Sequence, residues 1–135
     1  MKLNDVKLVM LVDDSYTDRF IHRKLLEIYS VGNEIIEFPG AREALDYLMK
    51  VKDQEEGKMP DIILLDVLMP EMNGFDFLAS LKDTFPKFKK KPLIYMLSST
   101  DDESDLKRAR SIKMVKKLLR KPFSPETLIK AISEL

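Results

Sequence analysis

Asp61-Ile-Ile-Leu-Leu-Asp66-Val-Leu-Met-Pro70-Glu-Met-Asn73-Gly74 is the stretch that decides the fold. Ile62 to Leu65 is a run of strand length with no polar alternation. A strand apolar on both sides is covered on both faces, which is the situation in a parallel sheet between helices. The run ends at an acid, Asp66, and a proline-containing turn follows. Asn73 then opens a helix whose Phe75, Leu78 and Leu81 fall on one stripe.

The same unit recurs on both sides of this stretch. Leu8 to Val12 and Leu93 to Leu97 are further continuous apolar runs. Glu34 to Phe38 and Lys117 to Leu119 are half-polar versions. Between them lie helical stripes: Thr17, Ile21, Leu25 and Ile28, then Ala44, Leu45, Leu48 and Met49. Asp101, Asp102 and Glu103 open a fourth helix, and Ser124-Pro125-Glu126 gives a fifth its cap, its N1 proline and a first-turn acid. Five β-α units in succession predict an α/β fold with a five-stranded parallel sheet and helices on both faces. No Gly/Ser linker, repeat or low-complexity tract divides residues 1–135, which read as one domain with no effector domain attached. Lys52 to Pro60 reads as an extended polar connection.

Bulk properties narrow the function. The chain has 135 residues, 44% of them hydrophobic and 34% charged, as in an ordinary globule. Lys plus Arg and Asp plus Glu both total 23, so charge selects neither nucleic acid nor membrane as a partner. There is no cysteine and one histidine, which excludes disulfides, thiolate chemistry and a soft-ligand zinc site. The five-residue apolar run near the N-terminus ends in two acids, too short for a signal peptide or a span. The expected location is the cytoplasm.

In an open α/β sheet, ligands bind at the carboxyl ends of the strands. Asp13-Asp14 follow the first run, Asp66 the third, Ser98-Ser99-Thr100 the fourth, and Lys121-Pro122 the fifth. Two carboxylates about 4 Å apart repel by roughly 4 kcal/mol at an effective dielectric near 20. Three cannot all stay ionised without cations. Lys121 supplies one charge, and a hydrated all-oxygen site for a divalent ion suits Mg²⁺. Mg²⁺, a lysine and a hydroxyl are equipment for holding a phosphoryl group, and a carboxylate can itself accept one.

These residues give the chain its resemblance to the receiver domains of two-component response regulators, similar to the single-domain chemotaxis type, over essentially its whole length. The match runs through Leu11-Val12-Asp13-Asp14, the stretch from Asp61 to Gly74, Leu97-Ser98-Ser99 and Lys121-Pro122-Phe123. The resemblance implies a flavodoxin-like, doubly wound (βα)5 fold with strand order 2-1-3-4-5, an order that comes from the family and not from the residue pattern. It implies Asp66 as phosphoacceptor, with Ser98 and Lys121 holding phosphoryl oxygens and the Ser99 N–H assisting. It implies Mg²⁺ held by Asp13, Asp14, Asp66 and the backbone carbonyl of Leu68, and a cis Lys121-Pro122 bond. The partners implied are a sensor histidine kinase or phosphotransfer protein and a downstream protein. The domain would be no enzyme in the usual sense, but would assist its own phosphorylation and dephosphorylation.

Plainer readings stand beside these. Asp13-Asp14 could serve a helix dipole, Asp66 a solvated turn, and Ser98-Ser99 a helix cap. His22, between Phe20-Ile21 and Arg23-Lys24, is expected on the surface away from the rim, and Lys87, Lys89, Lys90 and Lys91 in a solvated loop. The eight methionines read as core filler or surface. Lys107, Arg110, Lys113 and Lys117 belong to an acid-free basic run that is either a solvated face or a dock for an acidic partner. A haloacid-dehalogenase-type hydrolase and a phosphorylation-independent interaction domain are the competing functions.

Four positions depart from the family. Leu118 stands where an aromatic normally turns inward on activation. Met114-Val115 replace a Gly-Ala pair, and Ser98 replaces the commoner threonine. Intact phosphorylation with an altered readout, through Ser99 to Glu103 and the basic helix, is the expectation. Leu68 and Thr100, each two residues past a site residue, are expected to govern water access.

Overall fold

A computed structural model describes residues 1–53, 58–99 and 102–135. The strands are β1 (Leu8–Val12), β2 (Glu34–Phe38), β3 (Ile62–Asp66), β4 (Leu93–Ser98) and β5 (Val115–Arg120). The helices are α1 (Tyr16–Ile28), α2 (Ala41–Val51), α3 (Gly74–Leu81), α4 (Glu103–Arg110) and α5 (Pro125–Ser133). All pairings are parallel and the order is β2-β1-β3-β4-β5. This is the doubly wound receiver-type architecture that the resemblance implies.

Strand composition follows position. β1 and β3, in the middle, are buried at every residue, and β4 at all but its first. β2 and β5, the half-polar runs, are the edges. Alternate side chains feed two cores. Met10, Val12, Ile63, Leu65 and Met96 pack under α2, α3 and α4. Val9, Leu11, Ile62, Leu64 and Leu97 pack under α1 and α5. Caps fall at Asn73, Asp102 and Ser124, whose side chains accept the N–H groups of Asp76, Ser104 and Thr127. Ser98 and Ser99 are therefore not needed as caps for α4.

The α1 stripe differs from expectation. Its buried residues are His22 and Leu26, while Ile21 and Ile28 are 41% and 73% exposed. Ion pairs set the helix's rotation. Arg19 Nε lies 3.2 Å and Arg23 Nε 2.5 Å from the Glu37 carboxylate on β2, and Arg23 also donates to the Ile35 carbonyl at 3.0 Å. A polar seam takes the side that the apolar count gave to Ile21.

The lysine-rich loop differs too. Lys90 ion-pairs with Asp61, which is only 3% exposed. Asp61 also accepts the N–H groups of Lys7 at 2.7 Å and Leu8 at 2.9 Å, tying the start of β3 to the start of β1. In the polar connection, Met59 is buried in the core, and residues 54–57 lie outside the described residues.

Burial pushes the Asp61 carboxyl up, but the Lys90, Leu8 and Lys7 hydrogen bonds together hold it below the usual carboxylate value. Its stabilisation is thus present at neutral pH and is lost as pH falls through that lowered pKa. Asp61→Asn should lower urea-unfolding stability at pH 7 by about 1–3 kcal/mol. The gap should narrow toward pH 3, and equal stabilities at pH 7 would refute the role.

Candidate functional site

Parallel strands end on one edge, so the residues that follow them meet there. Asp13 follows β1; its N–H donates to the Phe38 carbonyl and its Oδ1 accepts the Ser15 N–H at 2.9 Å. Asp14 is exposed beside it. Asp66 is the last residue of β3 and is buried, and its Oδ1 accepts the Leu68 N–H at 3.4 Å. Ser98 closes β4, also buried, and its carbonyl accepts the Lys121 N–H at 2.8 Å. The Lys121–Pro122 bond is cis. Leu68 is 60% exposed, while Thr100 and Asp101 lie outside the described residues.

The Lys121 ammonium joins the rim together. Nζ lies 2.7 Å from Asp13 Oδ2, 2.9 Å from Asp18 Oδ2 and 3.2 Å from Asp66 Oδ1. Asp18 is the member that sequence reasoning missed. Ser15 caps α1 by accepting the Asp18 N–H at 3.1 Å, which sets Asp18 one turn into the helix. The signal was Ser15-x-x-Asp18, a cap followed three residues later by an acid, directly after Asp13-Asp14.

Electrostatics at the rim are unbalanced. Burial, then the Asp13 charge, pushes the Asp66 carboxyl up to about 7, against the pull of Lys121. For Lys121, burial acts to lower the ammonium pKa, but Asp13, Asp18 and Asp66 outweigh it and raise it above the ordinary lysine value. Among the described residues the buried Asp13 Oδ2 accepts no well-aligned hydrogen bond, although the ammonium is within ion-pairing distance. Carboxylate oxygens of Asp13, Asp14 and Asp66 lie within 4.8 Å of one another. Three hard oxygen donors, one of them exposed to water, fit a partly hydrated divalent ion.

His22 is not on the surface. It is 2% exposed and stacks on Phe123, with ring centroids 4.9 Å apart. Burial, then the Lys121 charge, lowers its pKa. The flanking Arg23 and Lys24 suggested a solvated position, but Arg23 is engaged with Glu37. His22 buttresses the segment that carries Lys121.

Leu118 is half-buried and lines a cavity of about 270 Å³ with Ser98, Leu106 and Arg120. Lys107, Arg110, Lys113 and Lys117 are exposed.

Residues 9–133 match the family model of the response regulator receiver domain. The chain belongs to that family. It is 37% identical over 124 residues to Protein PilG of Pseudomonas aeruginosa, covering 92% of this chain and 83% of PilG. A crystal structure of a two-component response regulator from Cytophaga hutchinsonii has a TM-score of 0.86 at 25% identity, covering 96% of each chain. The Mn²⁺-bound form of response regulator Rcp1, named in Synechocystis, has a TM-score of 0.69 at 25% identity, covering 95% of this chain and 90% of that one. The receiver domain serves two-component phosphorelay signalling, and receivers are phosphoacceptors. The hydrolase and the phosphorylation-independent domain are not favoured. Among the described residues no helix is long and apolar enough to cross a membrane.

An acid whose folded pKa exceeds its unfolded value binds its proton more tightly when folded. Asp66 therefore costs stability as pH rises from about 4 to 7. In metal-free buffer, Asp66→Asn should be more stable than the parent at pH 8, on the order of a few kcal/mol, and about equal at pH 4. A difference independent of pH in thermal melts would refute this.

Proposed function

We propose that Asp66 is the residue phosphorylated in this receiver. Its buried carboxylate, clasped by Lys121 at 3.2 Å, is the observation that carries the reading. An Asp66 oxygen attacks the phosphorus of a kinase or phosphotransfer-protein phosphohistidine. The new P–O bond forms as the P–N bond breaks, and the imidazole leaves with the bonding electrons and gains a proton from solvent.

Lys121 pairs with a phosphoryl oxygen and the Ser98 hydroxyl donates to another. Asp13, Asp14, Asp66 and the Leu68 carbonyl would hold Mg²⁺, which would neutralise charge on the carboxylates and the incoming group. Asp66 must be ionised to attack, so a cation that lowers its raised pKa also readies it. Receivers act through protein partners, and here an acidic target docks on Lys107, Arg110, Lys113 and Lys117. The whole of residues 1–135 acts as one domain in the cytoplasm, without direct contact to nucleic acid or membrane. It is no enzyme beyond assisting its own phosphorylation and dephosphorylation.

Incubation with Mg²⁺ and acetyl phosphate should add one phosphoryl mass to the parent and none to Asp66→Asn. An unmodified parent would favour the phosphorylation-independent reading.

The Lys121 ammonium is held by Asp13, Asp18 and Asp66, so serving the phosphoryl group means giving up a partner, and Asp18, 36% exposed against 3% and 5% for the other two, is the one that water can take over. Asp18→Asn should tighten beryllofluoride binding about fivefold, matching the ~1 kcal/mol of a partly exposed pair. Unchanged or weaker binding would remove Asp18 from the site. In amide exchange, beryllofluoride should alter protection from Ser99 to Glu103 and along α4. No change from Ser99 to Lys121 would refute a readout through this segment.

A further inference from the structure

A cavity of about 640 Å³ opens between α3 and the turn that joins α4 to β5. α3, α4 and the segments that follow each of them are its walls. Phe75, Leu78, Phe85, Ile112 and Met114 line it with apolar surface. Phe75 and Leu78 belong to the core, so the apolar lining is continuous with it. Lys82, Lys91, Arg108 and Lys113 stand around the opening, all exposed. The Arg108 guanidinium sits 4.2 Å above the Phe75 ring.

The charge here is one-sided. The whole chain balances 23 cations with 23 acids, yet no described residue lining this groove is acidic. Among the described residues, none of these four cations is ion-paired. An ordinary solvated face intersperses both signs. Unopposed cations over an apolar cleft focus positive potential on whatever the cleft takes in.

We infer that this groove docks an acidic amphipathic segment of a partner protein, with apolar anchors on the half-buried Phe85, Ile112 and Met114 and carboxylates facing Lys82, Lys91, Arg108 and Lys113. A helix laying one face into a groove is recognised through anchors at i, i+4 and i+7. A small molecule is the weaker match, because such sites fix orientation with convergent polar groups. Here the only hydroxyl among the described lining residues, Ser111, donates to the Arg108 carbonyl of its own helix at 2.7 Å. The cations are spread around the opening on different segments, which suits a chain of carboxylates. The groove shares only Lys113 with the basic face of Lys107, Arg110 and Lys117, so the two surfaces can be separated.

The test uses the full, unphosphorylated chain, so it stands whether or not Asp66 is the phosphoacceptor. A fluorescein-labelled helical peptide with leucines at i, i+4 and i+7 between glutamates is titrated by anisotropy, beside a counterpart with lysine for every glutamate. The glutamate peptide should bind at least about tenfold more tightly. Lys82→Glu with Lys113→Glu should abolish that preference, and Ala79→Trp, which fills the groove, should block binding with circular dichroism unchanged. Lys107→Glu with Lys117→Glu should leave it within about twofold. No binding, equal binding of the two peptides, or loss only in the Lys107/Lys117 variant would overturn the inference. So would decanoate that displaces the peptide and itself depends on the same residues, since that marks a small amphipathic anion as the occupant.

Discussion

Lys121 carries its ammonium to a place where three carboxylates reach it, at 2.7, 2.9 and 3.2 Å. Without that cation, Asp13 and Asp66 would be two buried acids side by side, a costly arrangement in any fold. With it, the charge is still short. One ammonium faces Asp13, Asp18 and Asp66, with Asp14 exposed alongside, and the Asp66 carboxyl is pushed up to about 7. The deficit is a functional property. It makes the rim receptive to a divalent ion, whose added charge would favour the ionised Asp66 that the proposed phosphoryl transfer requires.

Much of the surrounding fold serves to hold these groups at one point. Asp13, Asp66 and Lys121 come from β1, β3 and β5 or the residue just past them, and Ser98 ends the strand between β3 and β5. Register fixes their level along the sheet, with Val12 beside Leu65, Asp66 beside Leu97, and Ser98 beside Arg120. α3 begins hard against the site. A methyl group on Gly74 would lie 2.5 Å from the Asp66 carbonyl and 2.9 Å from Met96 Cε. Glycine is required there because the helix start and the end of β3 share one space. Asp61 performs the matching task at the far end of β3, where its two backbone hydrogen bonds pin β3 to β1.

The central strands were legible because burial on both faces leaves a continuous apolar run, as in Leu8 to Val12 and Ile62 to Leu65. Asp66 and Lys121 were legible because each directly follows such a run. What sequence pattern could not supply was the pairing of polar residues across the fold. α1 turned out to be oriented by Arg19 and Arg23 against Glu37, residues 18 and 14 positions apart. An apolar count has no access to that seam, so it assigned Ile21 and Ile28 to the core and His22 to water. Asp18 and Lys121 are 103 positions apart, and nothing local to either announces the other. Lys90 was read as solvent-facing for the same reason, since its partner Asp61 is a buried acid on a different element.

Leu118 poses the remaining mechanical problem. In the family pattern an aromatic at this place turns inward on activation. Leucine is half-buried here and shares a cavity of about 270 Å³ with Ser98, Asp102 and Leu106. Its branched end is too small to fill that space by changing rotamer. Ser98 shares that space with Asp102, Glu103 and Leu106, so the start of α4 is the element next to any movement of the Ser98 side chain. With no ring at Leu118, α4 is the element that the proposed readout uses. α4 is also the helix that bears Lys107 and Arg110 outward and supplies Arg108 to the neighbouring groove.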